Sequence, residues 1–194
     1  MGSPTQLFRP PRVIVDNETD LALIERCRNG DWSAFTELVV RYQRPIYNAA
    51  FWVLRKPEDA NDIAQVVFLR IAERLDDYDP RFKFFSWIYR IAVNESLNLL
   101  RRNGREEALD DNVEIAAPDG FDPERQASAA EAADRIRSAL MKLTPNDRVV
   151  ITLRHFSECS YEEIGQILDL DEKTVKSRLF EARQRLRALL RDLQ

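Results

Sequence analysis

Glycine is scarce in this chain, five among 194 residues, and histidine occurs once, at His155. Cysteine occurs twice, at Cys27 and Cys159. No apolar run approaches the ~20 residues a helix needs to cross a bilayer. Each shortage excludes something. A single histidine, with no CxxC or HxxxH spacing, cannot assemble a zinc ligand set, so no metal is expected. No glycine-rich phosphate cradle and no nucleophile–base pair is visible, so neither a cofactor nor an enzyme activity is expected. The cysteines read as two buried thiols of a reducing compartment. Without a membrane span the expected location is cytoplasmic.

Hydrophobic residues make up 44% and charged residues 32%, a globular mixture. The apolar residues recur with helical and not alternating period, so the expected fold class is all-α. The formal net charge is −4, which taken alone argues against a polyanion partner. The charge is segregated, however. Between Arg81 and Arg105 the cations Arg81, Lys83, Arg90, Arg101, Arg102 and Arg105 face a lone Glu95. Between Glu106 and Asp134 the balance reverses, with Arg125 alone against a run of carboxylates. The C-terminal end is basic again. Local patches decide where a polyanion can sit.

Residues 1–17 hold three prolines and no periodicity, and read as a flexible arm. A helix is expected from Thr19 or Asp20, either of which can cap it, to Asn29-Gly30. A second starts at Ser33 and is interrupted or restarted at Pro45. Pro57, Glu58 and Asp59 suit the first turn of a third helix, whose core face is Ile63, Val67, Ile71 and Leu75. A loop through Asp79-Pro80 leads to a fourth helix, Phe84 to Arg102. The acidic stretch 103–126, with Pro118, Gly120 and Pro123, reads as a linker between two small domains, 18–102 and 127–194. The second domain reads as helices over 127–142, 146–156, 160–168 and 171–191.

Two patterns carry chemistry. Ser160 can cap the helix that follows, with Glu163 three residues on as a capping box requires. A tight turn at Asp169-Leu170-Asp171 then leads to a helix with Val175, Leu179, Ala182 and Leu186 inward. Lys173, Lys176, Ser177 and the face near Phe180 and Arg183 point outward. This is the layout of a helix-turn-helix with its second helix in a major groove. An ordinary amphipathic hairpin has the same periodicity, so the pattern alone does not decide. The second pattern runs from Tyr78 to Arg90, where six aromatics alternate with cations. A helix core uses about half of them. The surplus, Tyr78 and Phe82 in the loop above all, suits unpaired bases, which stack on aromatic faces for about 1–3 kcal/mol each.

Together these residues resemble the extracytoplasmic-function (ECF) sigma family of bacterial RNA polymerase. Asn29-Gly30-Asp31 with Ala34-Phe35 is similar to its first region, and Glu58 through Phe68 to its polymerase-clamp helix. Phe85 through Asn94 resembles its promoter-melting segment, and Leu143-Thr144-Pro145 through Leu190 its −35-reading domain. The resemblance covers about 19–102 and 136–190, with four motifs in the family's order. It implies a two-domain initiation factor that binds core RNA polymerase at its clamp and flap, and promoter DNA. An anti-sigma factor that masks both domains is implied as a further partner.

Carried over by position, Glu58, Asp59, Asp62 and Gln65 match the clamp-binding surface. Tyr78, Arg81, Phe82, Lys83, Trp87, Arg90, Asn94 and Asn98 match the segment that reads and melts the −10 element. Tyr161, Lys173, Thr174, Lys176, Ser177, Arg178, Phe180 and Arg183 match the −35 reader. Two positions depart from the family pattern. Val66 stands where many relatives have an acidic residue, and Glu181 where the stress-response branch often has arginine. A carboxylate cannot donate to guanine or phosphate, so a different −35 preference is expected. The alternative reading is a stand-alone helix-turn-helix regulator. It explains 143–190 but leaves the clamp-like helix and the aromatic cluster without a role.

Overall fold

The computed structural model describes residues 17–103 and 135–192. The expected arm, apart from Asn17, the acidic linker beyond residue 103 and the start of the 127–142 helix lie outside the described residues. The helices are α1 (Asn17–Arg28), α2 (Trp32–Leu54), α3 (Pro57–Arg74), α4 (Phe84–Asn103), α5 (135–142), α6 (Pro145–His155), α7 (Tyr161–Leu168) and α8 (Glu172–Asp192). A 3-10 turn, Leu75–Asp77, closes α3. Among the described residues there is no strand, and the fold is all-α.

Local chemistry starts and stops these helices. Gly30 takes a left-handed φ of 89° between α1 and α2. Asp31 caps α2 by accepting from the Ser33 N–H at 3.0 Å. The Ser33 hydroxyl first, then Arg26, with a small part from that contact, hold the Asp31 carboxyl down at about 2. Pro57 and Pro145 occupy first-turn positions, where the missing N–H costs nothing. Thr144 caps α6, and Ser160 and Glu163 form the expected capping box on α7.

The core follows the helical stripes. Ile63, Val67, Ile71 and Leu75 are all buried. Three expectations need correction. Asp20 does not cap α1: it lies three residues inside it, fully buried, and accepts from Tyr42 Oη and Arg41. Pro45 does not break α2, which runs unbroken for 23 residues. Ile46, Ala49 and Ala50 are buried just beyond it, and this packing outweighs the one lost backbone bond. Of the cysteines, Cys159 is buried but Cys27 is only half-buried.

The first four helices pack on the last four, α4 against α7 and α2 against α6. Trp52 stacks on Phe156 with centroids 5.1 Å apart. Buried Arg148 donates to the carbonyl of Met141 and, at 3.4 Å, to that of Val53 near the end of α2. Burial, with Arg55 nearby, presses its pKa down to about 10, so it stays charged at neutral pH.

Candidate nucleic-acid and polymerase interfaces

The turn between α7 and α8 is set by backbone. Asp169 adopts a left-handed φ of 57°, and the Leu170 N–H donates to the Gly165 carbonyl at 2.9 Å. Asp171 then accepts from the Thr174 N–H and hydroxyl, each at 2.8 Å, and so caps α8. Val175, Leu179 and Ala182 are buried, and Leu186 packs half-buried against them. Lys173, Lys176, Ser177, Arg178 and Phe180 are exposed, as the helix-turn-helix pattern predicts. Phe180 is 63% exposed, which serves no core.

Other members of the expected −35 set are engaged. The Thr174 hydroxyl is taken by Asp171. Arg183 donates to His155 Nε2 and is half-buried. Burial, then Arg183 and Arg154, lower the His155 pKa and favour the neutral ring that accepts this bond. Half-buried Tyr161 lies beneath Arg154 and Lys176, 4.9 and 5.4 Å from its centroid. Glu181 is exposed and pairs with Arg185 one turn on.

On the other half, Lys83, Trp87, Arg90, Asn94 and Asn98 follow at three- and four-residue steps, so they share one face of α4 and its entry. Lys83, Arg90, Asn94 and Asn98 are exposed and Trp87 is half-buried. Arg81 is exposed and chelated by Asp79, and Phe82 is 46% exposed. Tyr78 corrects the expectation. It is 3% exposed, packed edge-on to Phe84, and its hydroxyl donates to the Phe82 carbonyl at 2.5 Å. Burial pushes its pKa up to about 12. Its ring belongs to the core, so Phe82 is the aromatic this loop offers.

The two cations at the start of that face are already paired. Lys83 binds Glu163 at 2.6 Å, and Arg90 lies 3.5 Å from Asp169. Burial works to raise the Glu163 carboxyl, but hydrogen bonds from Lys83 and the Ser160 N–H outweigh it and leave the pKa below its ordinary value. Such a carboxylate contributes fully above the unfolded pKa, about 4.3, and loses that contribution as pH falls through the lowered folded value. Glu163→Gln is therefore expected to flatten the acid limb of stability. Urea midpoints between pH 6 and 3 test this, and parallel curves for the two proteins would sink it.

On α3, Glu58, Asp62 and Gln65 are exposed and Asp59 half-buried. Beside them an open groove of about 870 Å³ runs between α2 and α3, lined among others by Phe35, Val39, Tyr47, Gln65, Phe68 and Leu69. Leu69 is 65% exposed. Sequence reasoning missed this apolar floor. Phe68 and Leu69, lying off the stripe 63-67-71-75, were its signal.

Residues 38–106 match Sigma-70 region 2, and residues 133–186 match Sigma-70, region 4. The chain is 35% identical over 180 residues to the ECF RNA polymerase sigma factor SigW of Bacillus subtilis (strain 168), covering 88% of this chain and 96% of that one. This chain belongs to the ECF sigma factors. It is 34% identical to the ECF RNA polymerase sigma-E factor of Escherichia coli (strain K12), covering 86% of this chain and 91% of the relative. Among solved structures, CnrH in complex with the cytosolic domain of CnrY superposes with a TM-score of 0.66 at 29% identity, covering 90% of this ECF sigma factor and 98% of CnrH. The resemblance read from four ordered motifs is borne out. No helix among the described residues is long and apolar enough to cross a membrane.

Proposed function

We propose that this ECF sigma factor grips core RNA polymerase with Glu58, Asp59, Asp62, Gln65 and the α2–α3 groove. It reads and helps melt the −10 element with Arg81, Phe82, Lys83, Trp87, Arg90, Asn94 and Asn98. It reads the −35 element with Lys173, Lys176, Ser177, Arg178 and Phe180, while Tyr161, Thr174 and Arg183 set that helix in place. Residues 18–102 and 127–194 act as two domains on the linker 103–126. The protein works in the cytoplasm by binding, and polymerase supplies the chemistry. The likeness to CnrH, solved with the cytosolic domain of CnrY, supports a regulatory protein partner of the anti-sigma kind.

The observation that carries this reading is the single face of α4 where cations, Trp87 and two asparagines follow at helical spacing. Duplex phosphates need the cations, and unpaired bases need aromatic and amide groups. Promoter binding exchanges Glu163 and Asp169 for phosphates as the partners of Lys83 and Arg90. Run-off transcription with purified core polymerase on a promoter library tests the reading. The expected result is specific transcripts that disappear when both elements are scrambled. No transcript from any promoter would overturn it. A strong footprint without polymerase would favour the stand-alone regulator instead.

A further inference from the structure

The loop from Leu75 to Lys83 is fastened from outside by α1. Arg28, the last residue of α1, directs Nη2 at three backbone carbonyls: Leu75 at 2.8 Å, Asp76 at 3.2 Å and Tyr78 at 3.0 Å. Its Nε lies 3.6 Å from the Asp76 carboxylate. Carbonyls at the end of a helix lack intrahelical donors. One guanidinium, reaching across about fifty positions of sequence, serves those where α3 runs out. At the far end of the loop Asn17, the first residue of α1, accepts from the Phe84 N–H at 3.4 Å, where α4 begins.

Between these ends the loop is tied to itself. Tyr78 Oη donates to the Phe82 carbonyl, the Phe82 N–H donates to the Asp79 carbonyl at 3.1 Å, and Asp79 accepts from the Arg81 N–H at 2.9 Å. The result is one geometry with Tyr78 inward and Phe82 and Arg81 outward. α1 holds its own place by other means: Asp20, Leu23 and Ile24 are its buried residues. Arg28 is not among them, and it directs its donors at the loop.

We propose that Arg28 is a positioning residue for −10 recognition, holding the α3–α4 loop so that Phe82 and Arg81 meet the unpaired promoter strand in one orientation. This rests on the reading of that loop and α4 as the −10 surface. A loop that must be ordered during binding loses affinity, and one ordered beforehand does not. Charge-assisted hydrogen bonds are the strong ones, and here the two protons of Nη2 are shared among three backbone carbonyls.

The test uses full-length protein with core polymerase. Arg28→Ala and Arg28→Lys are compared with Phe82→Ala on a duplex promoter, on the same promoter with a pre-opened bubble, and on a panel of −10 base substitutions. Core binding and thermal unfolding are followed in parallel. Arg28→Ala is expected to keep core binding, to lower open-complex formation on duplex DNA by about 10- to 100-fold, and to flatten the ranking of the −10 panel. Arg28→Lys is expected to fall between, and the bubble to restore much of the loss. The Arg28→Ala, Phe82→Ala double variant is expected to lose clearly less than the two single losses combined, because Phe82 is one of the two side chains that Arg28 positions. If Phe82→Ala reshapes the ranking and Arg28→Ala leaves it unchanged, the inference is overturned while the −10 assignment stands. If neither changes it, both fall.

Discussion

Replacing Asp20 by alanine is expected to lower the unfolding free energy by about 3–5 kcal/mol, the cost of breaking a buried ionic network from one side. Asp20 is fully buried, and its two oxygens serve two neighbouring residues of α2. Oδ1 accepts from Arg41 Nη1 at 2.5 Å, and Oδ2 accepts from the hydroxyl of Tyr42. Tyr42 is itself fully buried, edge-on to Phe84 at 5.6 Å. Burial first, then the bond to Asp20, raise its pKa, which keeps the phenol a donor throughout the working range. Alanine would strand that hydroxyl beside an apolar core. The expectation has a second arm. Asp20→Ala combined with Tyr42→Phe should recover part of the loss, because the buried Tyr42 hydroxyl that would lack an acceptor is then gone. Arg41, about a quarter exposed, can turn to water. Urea denaturation of the parent protein and the two variants measures both effects. A single-variant loss below about 1 kcal/mol would contradict the network's importance.

Gly165→Ala is expected to disable the proposed −35 half while leaving the proposed −10 half intact. A Cβ at this position would stand 2.6 Å from the Leu170 carbonyl oxygen, which is backbone and cannot rotate away. The glycine is needed for space, since the turn crosses α7 there and donates back to the Gly165 carbonyl. Forcing a methyl into such a contact costs about 1–3 kcal/mol. The turn must shift, and α8 swings with it, carrying Lys173, Lys176, Ser177 and Phe180 off their positions. Transcription that depends on the −35 element is expected to fall about 10- to 100-fold. Binding to core polymerase through α2 and α3 is expected to persist. Matched promoters with and without a −35 element separate the two, and unchanged dependence on that element would show that α8 has not moved.

Both variants act on features that differ in how visible they were. The α7–α8 unit was legible because its signals are local. A capping box spans three residues, and an inward stripe repeats every three or four. The same holds for the α3 stripe of Ile63, Val67, Ile71 and Leu75. Gly165 itself gave no such signal, because its role depends on how close a later carbonyl approaches. Asp20 was misread for a related reason. An aspartate near a helix start is usually a cap, and its partners Arg41 and Tyr42 lie 21 and 22 positions on. Pro45 was read as a break because its missing N–H is a local fact, whereas the packing of Ile46 and Ala50 is not.

The proposed −10 surface shows the division most sharply. An excess of aromatics from Tyr78 to Trp87 was evident, but not which ones were in excess. Tyr78 and Phe82 are four apart, in one loop, and chemically alike. One is core and the other is surface because Phe84 and Trp87 receive the first ring, while Arg28 and Asn17 pin the backbone around it. The pairs Lys83–Glu163 and Arg90–Asp169 join residues about eighty apart. What the sequence by itself determined is the helices, their caps, their apolar faces and the order of the family's motifs, since backbone hydrogen bonding and the 3.6-residue repeat are properties of neighbouring residues. Tertiary structure alone decided which polar and aromatic side chains were left exposed, because a group's burial and its partner are set by elements distant along the chain.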